Sequence, residues 1–285
     1  SALVDRISRL ESATHSIENG DLSTRADIPG KDEIASLAES FNKMAQQLQT
    51  ADQKQKELET LRRDLVAWAG HDLRTPLSSI RLLIEALSDG VVTDPNEMRN
   101  YLSQAKKHVD TLSFLVDDLF QISQLDSGGM PLNLEPASIS DLISDTLESF
   151  SGLAAQKGVK LSGSADDGVD PISMDVLWVG RAINNLVSNA IHYTPRDGEI
   201  KLTAKLIKDN VTVCISDSGE GILLEDIPHV FERFYRGDKS RSRVSGGAGL
   251  GLAIAKGVVE AHKGEISVQS ELLKGTTFII SLPKR

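Results

Sequence analysis

The segment His71-Asp72-Leu73-Arg74-Thr75-Pro76 places an imidazole, a carboxylate and a hydroxyl in one short run of a helical pattern. That pattern is the apolar stripe Leu58, Leu61, Leu65, Ala69, Leu73, Leu77, Ile80, Ile84 and Leu87, spaced by three and four as in a buried coiled-coil seam. At about 100° per residue, His71 falls roughly 160° round the wheel from Leu73, so it faces solvent. An imidazole there is free to act as a nucleophile, and Asp72 can accept or orient its proton. Pro76 has no N–H for the carbonyl of Asp72, which weakens the helix one turn after the histidine and lets the segment bend. A lone surface histidine is ordinary, so its significance depends on the residues downstream.

Further along, Asn185 and Asn189 sit four residues apart and project from one helix face. Asparagine is a poor helix former, and neutral oxygen ligands suit Mg²⁺, which takes few protein groups and keeps phosphate oxygens and water. Asp217 follows an alternating strand and precedes Gly219 and Gly221, a turn where backbone can approach a ligand closely. A carboxylate there accepts a hydrogen bond from an exocyclic amine; taken alone, Asp217-Ser218-Gly219 after a strand reads as an ordinary turn. The glycines of 246–251, among them Gly247, Gly249 and Gly251, precede a helix from Leu250, so loop amides and helix N-terminus together form an anion site. A lone glycine-rich loop would be weak support for that chemistry.

The elements that must position these groups can be read from periodicity. A helix with Leu3, Ile7, Leu10, Thr14 and Ile17 stops at Asn19-Gly20; a connector runs from Asp21 to Asp32; a second helix carries Ile34, Leu37, Phe41, Met44 and Leu48. Two such short amphipathic helices need a partner copy. Residues 51–63 hold no Gly or Pro, so the second helix runs on into the histidine helix. Asp94-Pro95 opens another helix with Met98, Leu102, Ala105, Val109, Leu112, Leu115, Leu119 and Ile122 on its apolar face, ending at Ser127-Gly128-Gly129. The resulting hairpin pairs with a second copy as a four-helix dimer. From about Leu134, strands expected at 158–162, 199–207, 211–216, 265–269 and 276–282 alternate with helices near 138–157, 176–192 and 250–262. That is an α/β sandwich, one layer of helices on a mostly antiparallel sheet.

Composition narrows the function. A chain of 285 residues with 40% hydrophobic content builds two or three modules, and a net charge of −10 excludes the basic footprint of a nucleic-acid binder. The single cysteine, Cys214, excludes an intramolecular disulfide framework. No stretch approaches the ~18 apolar residues of a membrane span and there is no signal-peptide pattern, so the chain itself is expected to be soluble.

In order, the histidine segment, Asn185-Leu186-Val187-Ser188-Asn189, Asp217-Ser218-Gly219-Glu220-Gly221, Phe231-Glu232-Arg233-Phe234-Tyr235-Arg236 and Gly247-Ala248-Gly249-Leu250-Gly251-Leu252 resemble the H, N, G1, F and G2 boxes of the sensor histidine kinases of two-component systems. The resemblance covers essentially the whole chain. Residues 1–52 look like a HAMP signal-relay module, with Gly20-Asp21-Leu22 and Asp32-Glu33-Ile34 at its landmarks and Arg6 where many members have proline. Residues 53–130 would be the dimerisation and histidine-phosphotransfer hairpin, and 131–285 a catalytic domain of the fold shared by histidine kinases, gyrase-type topoisomerases and a heat-shock chaperone. The family implies ATP and Mg²⁺ as cofactors: Asn189 as the direct metal ligand, Asn185 supporting the phosphates, Asp217 on the adenine amino group and Tyr193 lining the base. His192 stands where relatives often carry lysine, and Ala248 where they often have threonine. Arg236 would steady the γ-phosphate, residues 237–245 form a lid, and Leu250, Leu252 and Thr276 complete the nucleotide contacts. His71 would be the phosphoacceptor, Asp72 its general base or orienter, and Thr75 the group that orients water when the partner is dephosphorylated. That partner is an aspartate on a response regulator receiver domain. HAMP modules usually follow a transmembrane helix, which implies a membrane receptor of which this is the cytoplasmic part. A relay with a lapsed nucleotide site, or a gyrase-like or chaperone ATPase, is the rival reading.

Overall fold

The computed structural model describes residues 2–126, 131–235 and 249–284, with side chains except at Ala2, Glu57, Leu58, Leu61, Arg62, Asp64, Leu65, Val66, Trp68, Ala69 and His71. The chain divides into two compact units, Ser1–Thr75 and Pro76–Arg285.

In the first unit, α1 (Ala2–Glu18) is joined by a connector to α2 (Glu33–Asp72), a single 40-residue helix, as the absence of Gly and Pro from residues 51–63 predicts. A small core of Ala13, Ala26, Ile28, Ala38 and Phe41, with Leu10, Ile17 and Ile34 against it, glues connector to helices. Asn42 secures the connector by accepting from the Ala26 N–H at 2.8 Å and donating to the Ala26 carbonyl at 3.0 Å. Arg6, at the position where the family often has proline, donates to both oxygens of Asp32 at 2.6 and 2.7 Å. Asp32 in turn accepts the Ala35 N–H at 3.1 Å, so α1 is tied to the first turn of α2. Leu3, Val4, Ile7, Leu37, Met44 and Leu48 are exposed on the single chain.

Helix α2 ends at Asp72, and α3 (Arg74–Ser88) restarts one residue later. The continuous stripe expected from 58 to 87 is therefore split at Leu73, where Pro76 withholds the N–H that would have bonded the Asp72 carbonyl. Helix α4 (Pro95–Asp126) opens under an Asp94 cap that accepts from the N–H groups of Asn96 and Glu97. Its predicted face is buried at Ala105, Leu115 and Ile122 but exposed at Leu102 and Val109.

The remainder is a two-layer α/β sandwich. A five-stranded sheet runs in the order β2 (Lys160–Ala165), β4 (Glu199–Ile207), β5 (Asn210–Asp217), β7 (Gly275–Pro283), β6 (Glu265–Glu271); β2 and β4 are parallel and every other neighbour antiparallel. Helices α5 (Ile139–Lys157), α6 (Val176–Tyr193) and α7 (Gly251–Ala261) cover one face. Alternation sends Ile200, Leu202, Val213, Ile215 and Ile280 into the core against Ile139, Ile183, Leu186 and Ile254, all essentially without solvent contact. Two three-residue strands, β1 (Glu135–Ala137) and β3 (Ile172–Met174), pair as a separate ribbon that the sequence pattern did not announce. Asp175 caps α6 through the Trp178 N–H and also holds the Asn133 N–H. His262, buried at the end of α7, accepts from the Asp175 N–H at Nε2 and donates from Nδ1 to the Val258 carbonyl, the bonding of a neutral ring. Among the described residues, no helix is long and apolar enough to cross a membrane.

Candidate functional site

Helix α6 carries the two asparagines half-buried on one face, with buried Leu186, Val187 and Ala190 on the other. Asn185 donates from Nδ2 to the Gly251 carbonyl at 3.2 Å, and a Cβ at Gly251 would lie 3.5 Å from Asn185. The first turn of α7 is thus docked on the asparagine helix. Unlike α5 and α6, whose first turns are closed by Ser138 and Asp175, α7 has no side-chain cap among the described residues. The leading N–H groups of such a turn suit an anion. Leu250 is fully buried beneath them and Leu252 half-buried. The Asn189 side chain has no hydrogen bond to another described residue.

At the end of β5, Asp217 accepts the N–H groups of Gly219 at 2.8 Å and Thr276 at 3.3 Å, both on Oδ1. Oδ2 has no hydrogen-bond partner among the described residues. Burial pushes this carboxyl up from its ordinary range, and the two amide bonds oppose the shift. The turn around it has no room for side chains. A Cβ on Gly219 would stand 2.7 Å from Asp217 Oδ1 and 2.8 Å from the Tyr193 carbonyl, and one on Gly221, at φ +72°, 2.2 Å from the Glu271 carbonyl. Gly275 is the most restricted: its φ is +110° and a Cβ would fall 1.9 Å from the Asp217 carbonyl. The next residue, Thr276, is buried and shares a hydrogen bond with Ser270, which also accepts the Ile222 N–H and donates to the Gly275 carbonyl.

The structure therefore brings together two clusters, Asn185 with Gly251 and Leu250, and Asp217 with Gly219, Gly221, Thr276 and the Tyr193 backbone; α6 carries Asn185 in the first and Tyr193 in the second. His192 and Tyr193 are exposed at the end of α6, their rings edge to face at 4.8 Å. Gly249, at φ +70°, accepts the Phe234 N–H at 3.0 Å, so the F-box segment and the α7 loop meet on either side of residues 236–248. Arg236, Gly247 and the lid at 237–245 lie outside the described residues. His71 closes the first unit's long helix and its side chain is likewise not described; Asp72 beside it is half-buried and Thr75 exposed. Ser270 and Gly275 are the participants that residue types alone did not single out. The sequence signal for the second was a glycine directly before an alternating strand.

Comparison with known proteins assigns these parts. Residues 174–285 match the family described as histidine kinase-, DNA gyrase B- and HSP90-like ATPase, residues 61–128 the His Kinase A (phospho-acceptor) domain, and residues 1–50 the HAMP domain. The signal transduction histidine-protein kinase BaeS of Escherichia coli (strain K12) is 34% identical over 281 residues, 99% of this chain and 58% of BaeS. The chain belongs to the sensor histidine kinase family. It spans a little over half the length of that relative. Two solved kinases share the fold of this family member: the Acinetobacter baumannii histidine kinase AdeS, at TM-score 0.61 and 25% identity over 75% of this chain and 98% of AdeS, and full-length ShkA in complex with AMPPNP, at 0.59 and 26% over 78% and 45%.

Proposed function

We propose that this chain is the kinase portion of a sensor: it binds ATP in the sandwich, transfers the γ-phosphoryl group to His71 and passes it to an aspartate of a response regulator receiver domain. The observation that carries the reading is Asp217, half-buried and holding two backbone amides on one oxygen while the other has no partner among the described residues, at the floor of a turn from which side chains are excluded. An oxygen in that setting suits the amino group of adenine, and Tyr193 suits the face of the base. The uncapped first turn of α7, with Gly249 and Gly251, suits the phosphates. The AMPPNP complex of ShkA supports the same choice of ligand.

Asn189 fits Mg²⁺ as a neutral, unengaged oxygen beside the phosphate end. Among the described residues no group of three His, Cys, Asp or Glu could hold a metal, so the phosphates themselves would supply most of the other ligands. The ion would neutralise charge on the transferred group. Asn185 fixes the phosphate loop through Gly251, His192 borders the phosphates, and Arg236 steadies the γ-phosphate. In the transfer, an imidazole nitrogen of His71 forms the N–P bond as the bond from phosphorus to the β,γ-bridging oxygen breaks, ADP leaves, and Asp72 takes or orients the ring proton. Thr75 orients water for the reverse task on the phosphorylated regulator. The working modules are 1–52, 53–130 and 131–285. The exposed apolar stripes of α1, α2 and α4 are covered by a second copy, and an upstream membrane sensor delivers the signal.

Incubation with γ-labelled ATP and Mg²⁺ tests this reading. Acid-labile, base-stable label on the wild-type chain and none on His71→Gln is the expected result. Label surviving the substitution would remove His71 as acceptor, and no label despite ATP binding would remove the autokinase.

A further inference from the structure

The nucleotide-facing end of α6 is held by a side chain from outside the site. Lys157, the last residue of α5, donates from Nζ to the carbonyls of Ile191 and His192, each at 2.5 Å. These are two of the last carbonyls of α6, which lack partners within the helix. The Ala190 carbonyl is served separately by Thr194, through both its N–H and its hydroxyl. A positive charge on the final turn also complements the helix dipole.

The same corner is sewn together by backbone. Asp197 N–H donates to the Gly158 carbonyl and Lys160 N–H to the Gly198 carbonyl, at 2.8 and 2.9 Å. Beyond Gly198, the Ser218 hydroxyl accepts the Glu199 N–H at 2.9 Å, and Ser218 adjoins Asp217. On the other side, the Tyr193 carbonyl packs so closely on Gly219 that a Cβ there would be 2.8 Å away. Displacing the last turn of α6 thus moves His192 and Tyr193 directly and presses on the Asp217 turn through Gly219. We infer that Lys157 is a positioning residue for nucleotide binding: by gripping the Ile191 and His192 carbonyls it sets His192, Tyr193 and the Asp217 turn relative to the ligand. This grip acts on the end of α6 that carries His192 and Tyr193, so its effect belongs to binding and not to the transfer step. This inference rests on the ATP-binding reading above.

The test uses the full 285-residue chain with Lys157→Met and Lys157→Arg. Binding of ATP and of ADP is measured by titration calorimetry, autophosphorylation at varied ATP, and melting without nucleotide. The expected result for Lys157→Met is a Kd about tenfold weaker for both nucleotides and a KM raised to match, with kcat within about twofold of wild type. Lys157→Arg, which can reach the same carbonyls, restores affinity to within about threefold. Wild-type affinity in a cooperatively melting Lys157→Met protein would overturn the inference. So would a loss confined to ATP, which would make the ammonium a γ-phosphate ligand, or loss of cooperative melting in both variants, which would make it a support of the whole domain. Failure of the wild-type chain itself to bind either nucleotide would refute the ATP reading, and this inference with it.

Discussion

Asp217→Asn separates what the carboxylate does for the ligand from what it does to the fold. The amide keeps the size and shape of the acid. Its oxygen can still accept the Gly219 and Thr276 N–H groups, so the turn need not rearrange. The outward oxygen, however, becomes an NH₂ that meets the adenine amino group donor to donor. One hydrogen bond to a charged acceptor is lost, worth about 1.5–3 kcal/mol, which corresponds to roughly 10- to 150-fold in ATP affinity. Stability moves the other way. Burial raises the Asp217 carboxyl, so the native state binds a proton more tightly than the unfolded chain, and the ionised group weakens the fold once the pH has risen through the carboxylate range. A neutral amide removes that burden. At neutral pH and without nucleotide, D217N is therefore expected to melt above wild type, with the difference vanishing toward pH 3. Calorimetric titration with ATP and melting curves across that range provide both readings on the same samples. Unchanged ATP affinity, or a D217N protein less stable than wild type at neutral pH, would refute the argument that this carboxylate is held at a cost for the sake of a ligand.

Single positions elsewhere give further expected outcomes. Gly275→Ala puts a methyl group 1.9 Å from the Asp217 carbonyl at a φ of +110°, and is expected to cost about 3 kcal/mol or more, read as a loss of cooperative melting at a temperature where wild type is folded. Asp118, on α4, is pushed up to about 6 by burial and by neighbouring Asp117. Its native pKa lies above the unfolded value of about 4, so stability falls as pH rises from about 4 to about 6. Asp118→Asn should then gain about 1–3 kcal/mol at pH 7.5 and nothing at pH 4, checked by urea denaturation at the two pH values.

The sequence was most informative where one physical pattern ran long enough to be read alone. Strand β4 has the bounds its alternation predicted, α5 ends at the expected Lys157 and starts one residue later than expected, with Ser138 as its cap, and α2 runs unbroken through residues 51–63, which hold no Gly or Pro. The strands β1 and β3 escaped because three residues carry no period. The helix break was legible in its cause, Pro76, but its place at Leu73 depends on where the missing N–H is felt, one turn earlier. Among the candidate site residues, those whose own type does chemistry were visible: Asp217 and the asparagines of α6. Those that act by where the chain brings them were not. Lys157 reads as a solvated helix end until Ile191 and His192 fold back onto it, and Ser270 as one polar residue in a strand until Ile222 and Thr276 converge on it.

The glycines show why motif and mechanism are hard to separate in this fold. Gly219, Gly221 and Gly275 are each excluded from bearing a side chain by a different piece of backbone: the Tyr193 carbonyl, the Glu271 carbonyl and the Asp217 carbonyl. Each of those contacts joins the Asp217 turn to a separate element, α6, the β6–β7 hairpin or the start of β7. Close approach of main chain to main chain is therefore what orients the carboxylate, and it needs no side-chain chemistry at the three positions. Two kinds of loss are expected in consequence. A change at Asp217 should weaken binding in a domain that stays folded. A change at one of these glycines should weaken binding and stability together, because the same contact that shapes the site also packs the sheet.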